Sequence, residues 1–300
     1  HAEVMARMWC KDQVPSVTNG VHIPSWMDDE IKKLIDPDQV RFIRCHTDHD
    51  YLWGRMKQID LEKYTSLRNK KRRELIDFAN RYTEERYRLD PDILTIGFGR
   101  RGATYKRLGL PFHDPDRLLP ILEDPVRPVQ IIMAGKADPH DDGGKEMIQR
   151  LVRLTRDSKF RKHTLFIPNY DKTIAKLLVV GSDAWLNMPR KFQESSGTSG
   201  MKSGINGGLQ WSVDAGWMNE VPDNLYFKIE DDENPAVVAE RMYQMLTNTI
   251  LPHFYNAGQP LSEAWVRASL QSMEYIIPNF SAVRMLKGYQ NICYGLIPNN

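Results

Sequence analysis

A single lysine, Lys202, sits in a run of small residues, Glu194–Gly208, that reads ESSGTSGMKSGINGG. Gly197, Gly200, Gly204, Gly207 and Gly208 leave the backbone uncovered, so its N–H groups can approach an anion. A helix starting near Thr198 or Gly200 would add the partial positive charge of its N-terminus. A lysine presented there has two chemical uses: a point charge for a phosphate, or an amine nucleophile for an aldehyde. The nucleotide-binding P-loop needs Gly before the lysine and Ser or Thr after it. Met201 precedes Lys202, and its side chain would intrude on the phosphate wrap. On composition alone a flexible Gly/Ser turn stays open beside the chemical readings.

A second cluster follows an expected strand. Gly97-Phe98-Gly99-Arg100-Arg101-Gly102 formally matches the dinucleotide fingerprint. Arg100, Arg101, Lys106 and Arg107 then place four cations close together, more than a pyrophosphate on helix amides requires. The next strand ends at Gly135-Lys136, with no acid for a ribose. A solvated basic helix start is the plainer alternative. Other groups carry less. Asn19-Gly20 is a turn signal and Pro24 a helix start, and His22 reads as structural. Cys45-His46-Thr47-Asp48-His49-Asp50 has metal-ligand types, but Thr47-Asp48 before an amphipathic run reads as a helix cap. Lys70-Lys71-Arg72-Arg73 reads as a solvated helix face, and Glu230–Glu233 as a loop. Asp138, His140, Asp141 and Asp142 form a polar turn without ligand spacing.

The elements that must position these groups alternate in type. Strands are expected at 93–96, 129–134, 163–167, 184–188 and 208–213, with helical patterns at 104–108, 145–157 and 172–180. Such alternation predicts an α/β fold: a Rossmann-like parallel sheet with helices on both faces, its ligands at the carboxyl ends of the strands. Residues 1–90 are expected to form a junction and a charged helical segment, 91–234 the Rossmann-like unit, and 235–300 two or three closing helices. Three hundred residues can bury a sizeable core. Lys plus Arg total 41 against 39 Asp plus Glu, which argues against a nucleic-acid binder. Cys10, Cys45 and Cys293 are odd in number and far apart, which suits free thiols and a cytoplasmic location. No apolar run approaches bilayer length, so no membrane partner is expected. The sequence opens at His1 without Met, and is expected to be a piece of something longer or a processed chain.

Glu194–Lys202, with Asn206-Gly207 beyond, resembles the cofactor-lysine motif of the α-glucan phosphorylases, the enzymes of glycogen, starch and maltodextrin phosphorolysis. Ser199-Gly200 resembles the shorter microbial branch, and Ser195 stands where alanine is usual. Arg100–Arg107 resembles the family's phosphate-holding segment, and Val17–Trp26 the segment where its two halves join. Pro168-Asn169-Tyr170-Asp171 and Gly135-Lys136-Ala137 also match, as do Phe280-Ser281-Ala282 and Met285 among the closing helices. The resemblance runs from His1 to about Tyr294.

The resemblance implies pyridoxal 5′-phosphate held by Lys202 as an internal Schiff base. It places Arg101 and Lys106 on the substrate phosphate and Arg100 on the cofactor phosphate. Tyr170, Trp26 and the Gly135 turn would lie beside the cofactor, with the backbone at Thr198 and Ser199 holding phosphate. Glu194 would hydrogen-bond sugar hydroxyls with Ser196 and Gly197 beside it, Asn19 would bind the glucose, and Tyr105 would join the substrate contacts. Arg100 replaces a lysine of the animal enzymes; Asp171 replaces an arginine, whose role is not carried over. The implied fold is the second domain of a two-domain glycosyltransferase-B-type enzyme. The implied reaction moves a terminal glucosyl unit of an α-1,4-glucan to inorganic phosphate, giving glucose 1-phosphate. An N-terminal phosphorylase domain is the implied partner, with a homodimer in the full-length protein. A sugar- or phosphate-binding module without catalysis, or a nucleotide-sugar glycosyltransferase of similar fold, are the alternatives.

Overall fold

The computed structural model describes residues 2–12 and 14–295; His1, where the resemblance begins, and the last five positions of the expected closing segment lie outside them. Six parallel strands form one sheet in the order β3-β2-β1-β4-β5-β6. They are β1 (Leu94–Gly102), β2 (Val129–Ala137), β3 (Thr164–Ile167), β4 (Ala184–Asn187), β5 (Leu209–Val213) and β6 (Phe227–Ile229). The central strands are buried along nearly their whole length, polar residues such as Thr95, Gln130, Gln210 and Ser212 included, because helices cover both faces of the sheet. Helices cover both faces. On one, the helices Leu61–Ala79 and Lys172–Gly181 bury Leu75, Ile76, Leu178 and Val179 with Ile132 and Trp185. On the other, a larger cluster runs from Val21 through Leu94 and Phe98 to Trp265 and Phe280.

Aspartates start many of the helices. Asp28, Asp38, Asp48, Asp60, Asp114, Asp141 and Asp171 each accept backbone amides of a first turn, satisfying groups that have no partner inside the helix. Asp48 accepts from the Tyr51 amide at 3.0 Å, so the capping reading of Thr47-Asp48 holds.

Three expectations need correction. The run Gly97–Gly102 is not a turn between strand and helix: β1 continues through it, paired with β2 as far as Gly102↔Ala137. Its glycines serve close packing, since a Cβ at Gly97 would sit 2.0 Å from Ser182 Oγ. The helix expected at 104–108 is one 3₁₀ turn, Thr104–Lys106, stopped by Arg107 in the left-handed region at φ +49°. The helix between β1 and β2 is instead Pro115–Leu122.

The third correction concerns Lys70–Arg73. Lys70 and Arg73 are solvated, but Lys71 and Arg72 point inward. Arg72 reaches Asp183 Oδ1 at 3.0 Å, and Arg68 lies 3.8 Å from the same oxygen. Arg68 also donates to the carbonyls of Val180, Ser182 and Asn206 at 2.6–2.7 Å. Asp183 Oδ2 accepts the Thr95 amide at 3.0 Å. The helix is thus fastened to the sheet through a fully buried carboxylate.

His46 is buried, with Nδ1 2.7 Å from the Ile43 carbonyl, and burial holds its pKa down. Burial does the same at His163 and His253. The unfolded chain then binds more protons than the folded one below an ordinary imidazole pKa of about 6.5. Stability should be full above that pH and fall as pH drops through it. Urea titrations at stepped pH check this, and a midpoint flat from neutrality down to the carboxylate range would refute it.

Candidate functional site

The carboxyl ends of β1 and β2 and the loop after β4 carry the first group of candidates. Arg100 lies near the end of β1, opposite Gly135 of β2. Its guanidinium is only 3% exposed, and Nη1 stands 3.4 Å from Glu194 Oε2. Nε and Nη2 of Arg100 are buried with no hydrogen-bond partner among the described residues. Burial pulls the Arg100 pKa downward and Glu194 opposes this, yet a guanidinium stays charged. Lys106, on the 3₁₀ turn, pairs with the same Glu194 oxygen and lies 4.7 Å from the Tyr105 ring centroid. One buried carboxylate therefore holds two cations, leaving a net positive charge with unused donors.

Small residues make room for this cluster. A Cβ at Gly99 would stand 3.0 Å from the Tyr170 hydroxyl, so glycine lets the tyrosine lie on β1. Burial raises the Tyr170 pKa, with Arg100 pulling against it. A Cβ at Gly135 would lie 3.0 Å from the Arg100 carbonyl.

The second group is on the helix Thr198–Gly204. Gly197 precedes it at φ +88°, a backbone that favours glycine, and puts no side chain over the amides of Thr198 and Ser199. It also lies against Glu194, whose Cγ would be 3.5 Å from a Cβ there. Lys202 is half-buried, its Nζ 3.7 Å from the Trp26 ring centroid. No carboxylate pairs with it among the described residues. Burial first, then the charge of Lys172, lowers its pKa and makes the neutral amine more available. That is the condition an amine needs to attack an aldehyde.

The other candidates fall into place around these or away from them. Ser196 is buried with Oγ unpartnered, and its carbonyl accepts the Trp217 amide at 3.0 Å. Arg101 follows Arg100 near the end of β1 and is exposed, outside the buried cluster. Arg107 is withdrawn from the cation cluster: it donates to the carbonyls of Met188 and Pro189 and pairs with Asp231 at 2.6 Å. Asn19 is exposed and joins neither group; its carbonyl accepts from Arg284 at 3.2 Å, beside the Val21↔Ser281 bridge. Trp217 and Gln210 were not singled out from sequence, although Trp217 Nε1 and Gln210 Oε1 are buried without partners beside Gly200. Neither belongs to the motif: Gln210 lies on β5, which follows the helix, and Trp217 on the turn after β5.

Clefts of about 350–550 Å³ lie elsewhere, for example beside Tyr82 and Arg161 or between Trp53 and Glu274, and are not lined by Lys202, Arg100 or Glu194. The buried charges and the desolvated amine mark the chemistry more directly than concavity does.

The chain is thus an α/β unit with a parallel sheet covered on both faces, a buried arginine with unpaired donors at the end of β1, and a half-buried lysine on the helix after β4. Over nearly its whole length the chain is a homologue of the glycogen and maltodextrin phosphorylases. It is 36% identical to a glycogen phosphorylase of Aquifex aeolicus, over 99% of this chain and 47% of that protein. It is 35% identical to a maltodextrin phosphorylase of Thermococcus litoralis, over 98% of this chain and 38% of that protein. A glycogen phosphorylase of Mycobacterium tuberculosis is 34% identical over 93% of this chain and 35% of its own length. The chain thus spans less than half of these relatives. No family model matches it.

Proposed function

We propose that this chain supplies the cofactor-bearing half of an α-1,4-glucan phosphorylase, which transfers a terminal glucosyl unit to inorganic phosphate and releases glucose 1-phosphate. The observation that carries this reading is the pairing of a desolvated, acid-free Lys202 under Trp26 with a buried, incompletely satisfied Arg100–Glu194–Lys106 cluster. The residues fit pyridoxal 5′-phosphate: Lys202 is an amine suited to its aldehyde. Gly99 and Tyr170 pack closely, as do Gly135 and the Arg100 backbone, and two Arg100 nitrogens, Nε and Nη2, have no partner among the described residues and could donate to a phosphate. When bound, the cofactor would supply a phosphate able to exchange a proton with the substrate phosphate.

The chain's own residues would do the rest. Arg100 neutralises the cofactor phosphate, with the amides of Thr198 and Ser199 beside it. Arg101 and Lys106 hold the substrate phosphate, whose repulsion against a second phosphate a low-dielectric site must offset. Glu194, held by Arg100 and Lys106, turns its carboxylate to sugar hydroxyls, beside Ser196 and Gly197. Tyr105, whose ring lies 4.7 Å from the Lys106 ammonium, would join the substrate side, and Asn19, which stands apart from both groups, would join it only in the assembled protein.

Completion by an N-terminal domain is supported by the length of the relatives, of which this chain spans less than half. Val283 and Leu286, neighbours on the helix Ala282–Ile292, are both exposed. Among the described residues no helix is long and apolar enough to cross a membrane. The test is glucose 1-phosphate release from maltodextrin and phosphate. The chain alone should be inactive, and the chain supplied with the upstream half of its full-length protein active. Full activity from the chain alone would refute the two-half reading, and none from the assembled protein would refute the proposed reaction.

A further inference from the structure

The contact between Trp26 and Lys202 joins two short helices that lie far apart in sequence. Ile23–Trp26 is four residues long, and His22 offers it no side-chain cap. The indole packs against both hydrophobic clusters, but no side chain within its own turn holds the backbone that carries it. One side chain, outside the residues assigned above, holds that backbone from across the contact. Asn206 is completely buried, and its Nδ2 donates to the Trp26 carbonyl at 2.8 Å and to the Lys202 carbonyl at 2.7 Å. Its Oδ1 accepts the Asp28 amide at 2.8 Å. Its own backbone is held as well, by Arg68 at the carbonyl and by Ser203 at the amide.

We propose that Asn206 is the positioning residue of the Lys202 site: its carboxamide ties the backbone that leaves Trp26, at the Trp26 carbonyl and the Asp28 amide, to that of Lys202, and so sets the place of the indole over the amine. A carboxamide is needed because the site presents two acceptors and one donor together. Aspartate would turn a carboxylate oxygen on the carbonyls, and alanine would leave three part-buried backbone groups without this partner. With the tie cut, the indole no longer shields Nζ. The amine then gains water, and Lys172 remains the charged neighbour facing it from the adjoining helix Lys172–Gly181. The inference deepens the reading of Lys202 as the reactive amine, and its test needs no cofactor.

The test is competitive acetylation of the chain at stepped pH, with the Lys202 peptide followed by mass spectrometry. In Asn206→Ala the Lys202 midpoint should rise by about one pH unit, the usual spread of perturbed values. Asn187→Ala, which removes a buried bond to Ser212 Oγ at 3.1 Å, is the control for general loosening and should leave the midpoint in place. A midpoint that moves in both variants, or in neither, overturns the proposal. If Asn206→Ala loses its cooperative melt, Asn206→Ser is read in the same way. Failure of both to fold would show that Asn206 serves the core and not the amine. A shifted midpoint in a chain whose Lys202 takes up no pyridoxal phosphate would uphold the positioning role and reject the cofactor reading.

Discussion

Asp183→Ala should destabilise this chain by about 3–5 kcal/mol, the usual result of removing one partner from a buried ion pair. Asp183 and Arg72 are both 0% exposed, and Arg68 is nearly so. Without the carboxylate, two guanidiniums remain in the interior with carbonyl partners only, and the Thr95 amide of β1 loses its acceptor. Against a typical total of roughly 5–15 kcal/mol, such a loss leaves the fold marginal. Asp183→Asn keeps the shape and an acceptor but not the charge, and should fall between. Urea unfolding measures both, with the midpoint moving and the slope unchanged. A loss below about 1 kcal/mol, the scale of a surface pair, would mean that the carbonyls alone satisfy both arginines.

Lys106→Met is expected to lower kcat/KM for phosphate in the assembled enzyme by about 100- to 1,000-fold, the scale seen when one preorganised donor is lost from a charge-stabilising site. Methionine keeps most of the side chain's bulk, so the change is one of charge. Lys106 is 12% exposed, on a turn held in place by Arg107 and by the Arg190 amide on the Tyr105 carbonyl. Its ammonium therefore acts from a fixed position. Loss of Lys106 also leaves Glu194 to Arg100 alone, so the glucan KM should rise by a smaller factor. Steady-state kinetics with phosphate and glucan varied separately would show the asymmetry. An equal rise in both KM values with kcat unchanged would mean that Lys106 serves only the shape of the site.

Much of this was legible in the sequence, and the failures have physical causes. β2 to β4 were legible as short, mainly apolar runs, and β5 by the alternation Leu209-Gln210-Trp211-Ser212-Val213. β1 was legible only to Ile96, since Gly97–Gly102 has few apolar side chains. Pairing with β2 makes it a strand, and glycine is used because Ser182 and Tyr170 press on it. β6 is three residues long and half-buried, too short for a pattern. The turn at Thr104–Lys106 looked helical because local propensity does not register that Arg107 bonds to Met188, Pro189 and Asp231. Lys71 and Arg72 looked solvated because Asp183 lies 111 residues from Arg72. Lys202, Glu194, Arg100 and Lys106 were legible through their motifs, and the structure brings the last three into one cluster. The role of Asn206 was hidden because it depends on Trp26, 180 residues away, although its place four residues after Lys202 puts it on the same helical face.

The most direct test of the central claim is to incubate the chain, alone and assembled with its upstream half, with pyridoxal 5′-phosphate, reduce with borohydride, and map the product by mass spectrometry. The account predicts one reduced adduct, on Lys202, absent from Lys202→Ala and more abundant in the assembled protein. Label scattered over exposed lysines, with Lys202 unmodified even in the assembled protein, would contradict it.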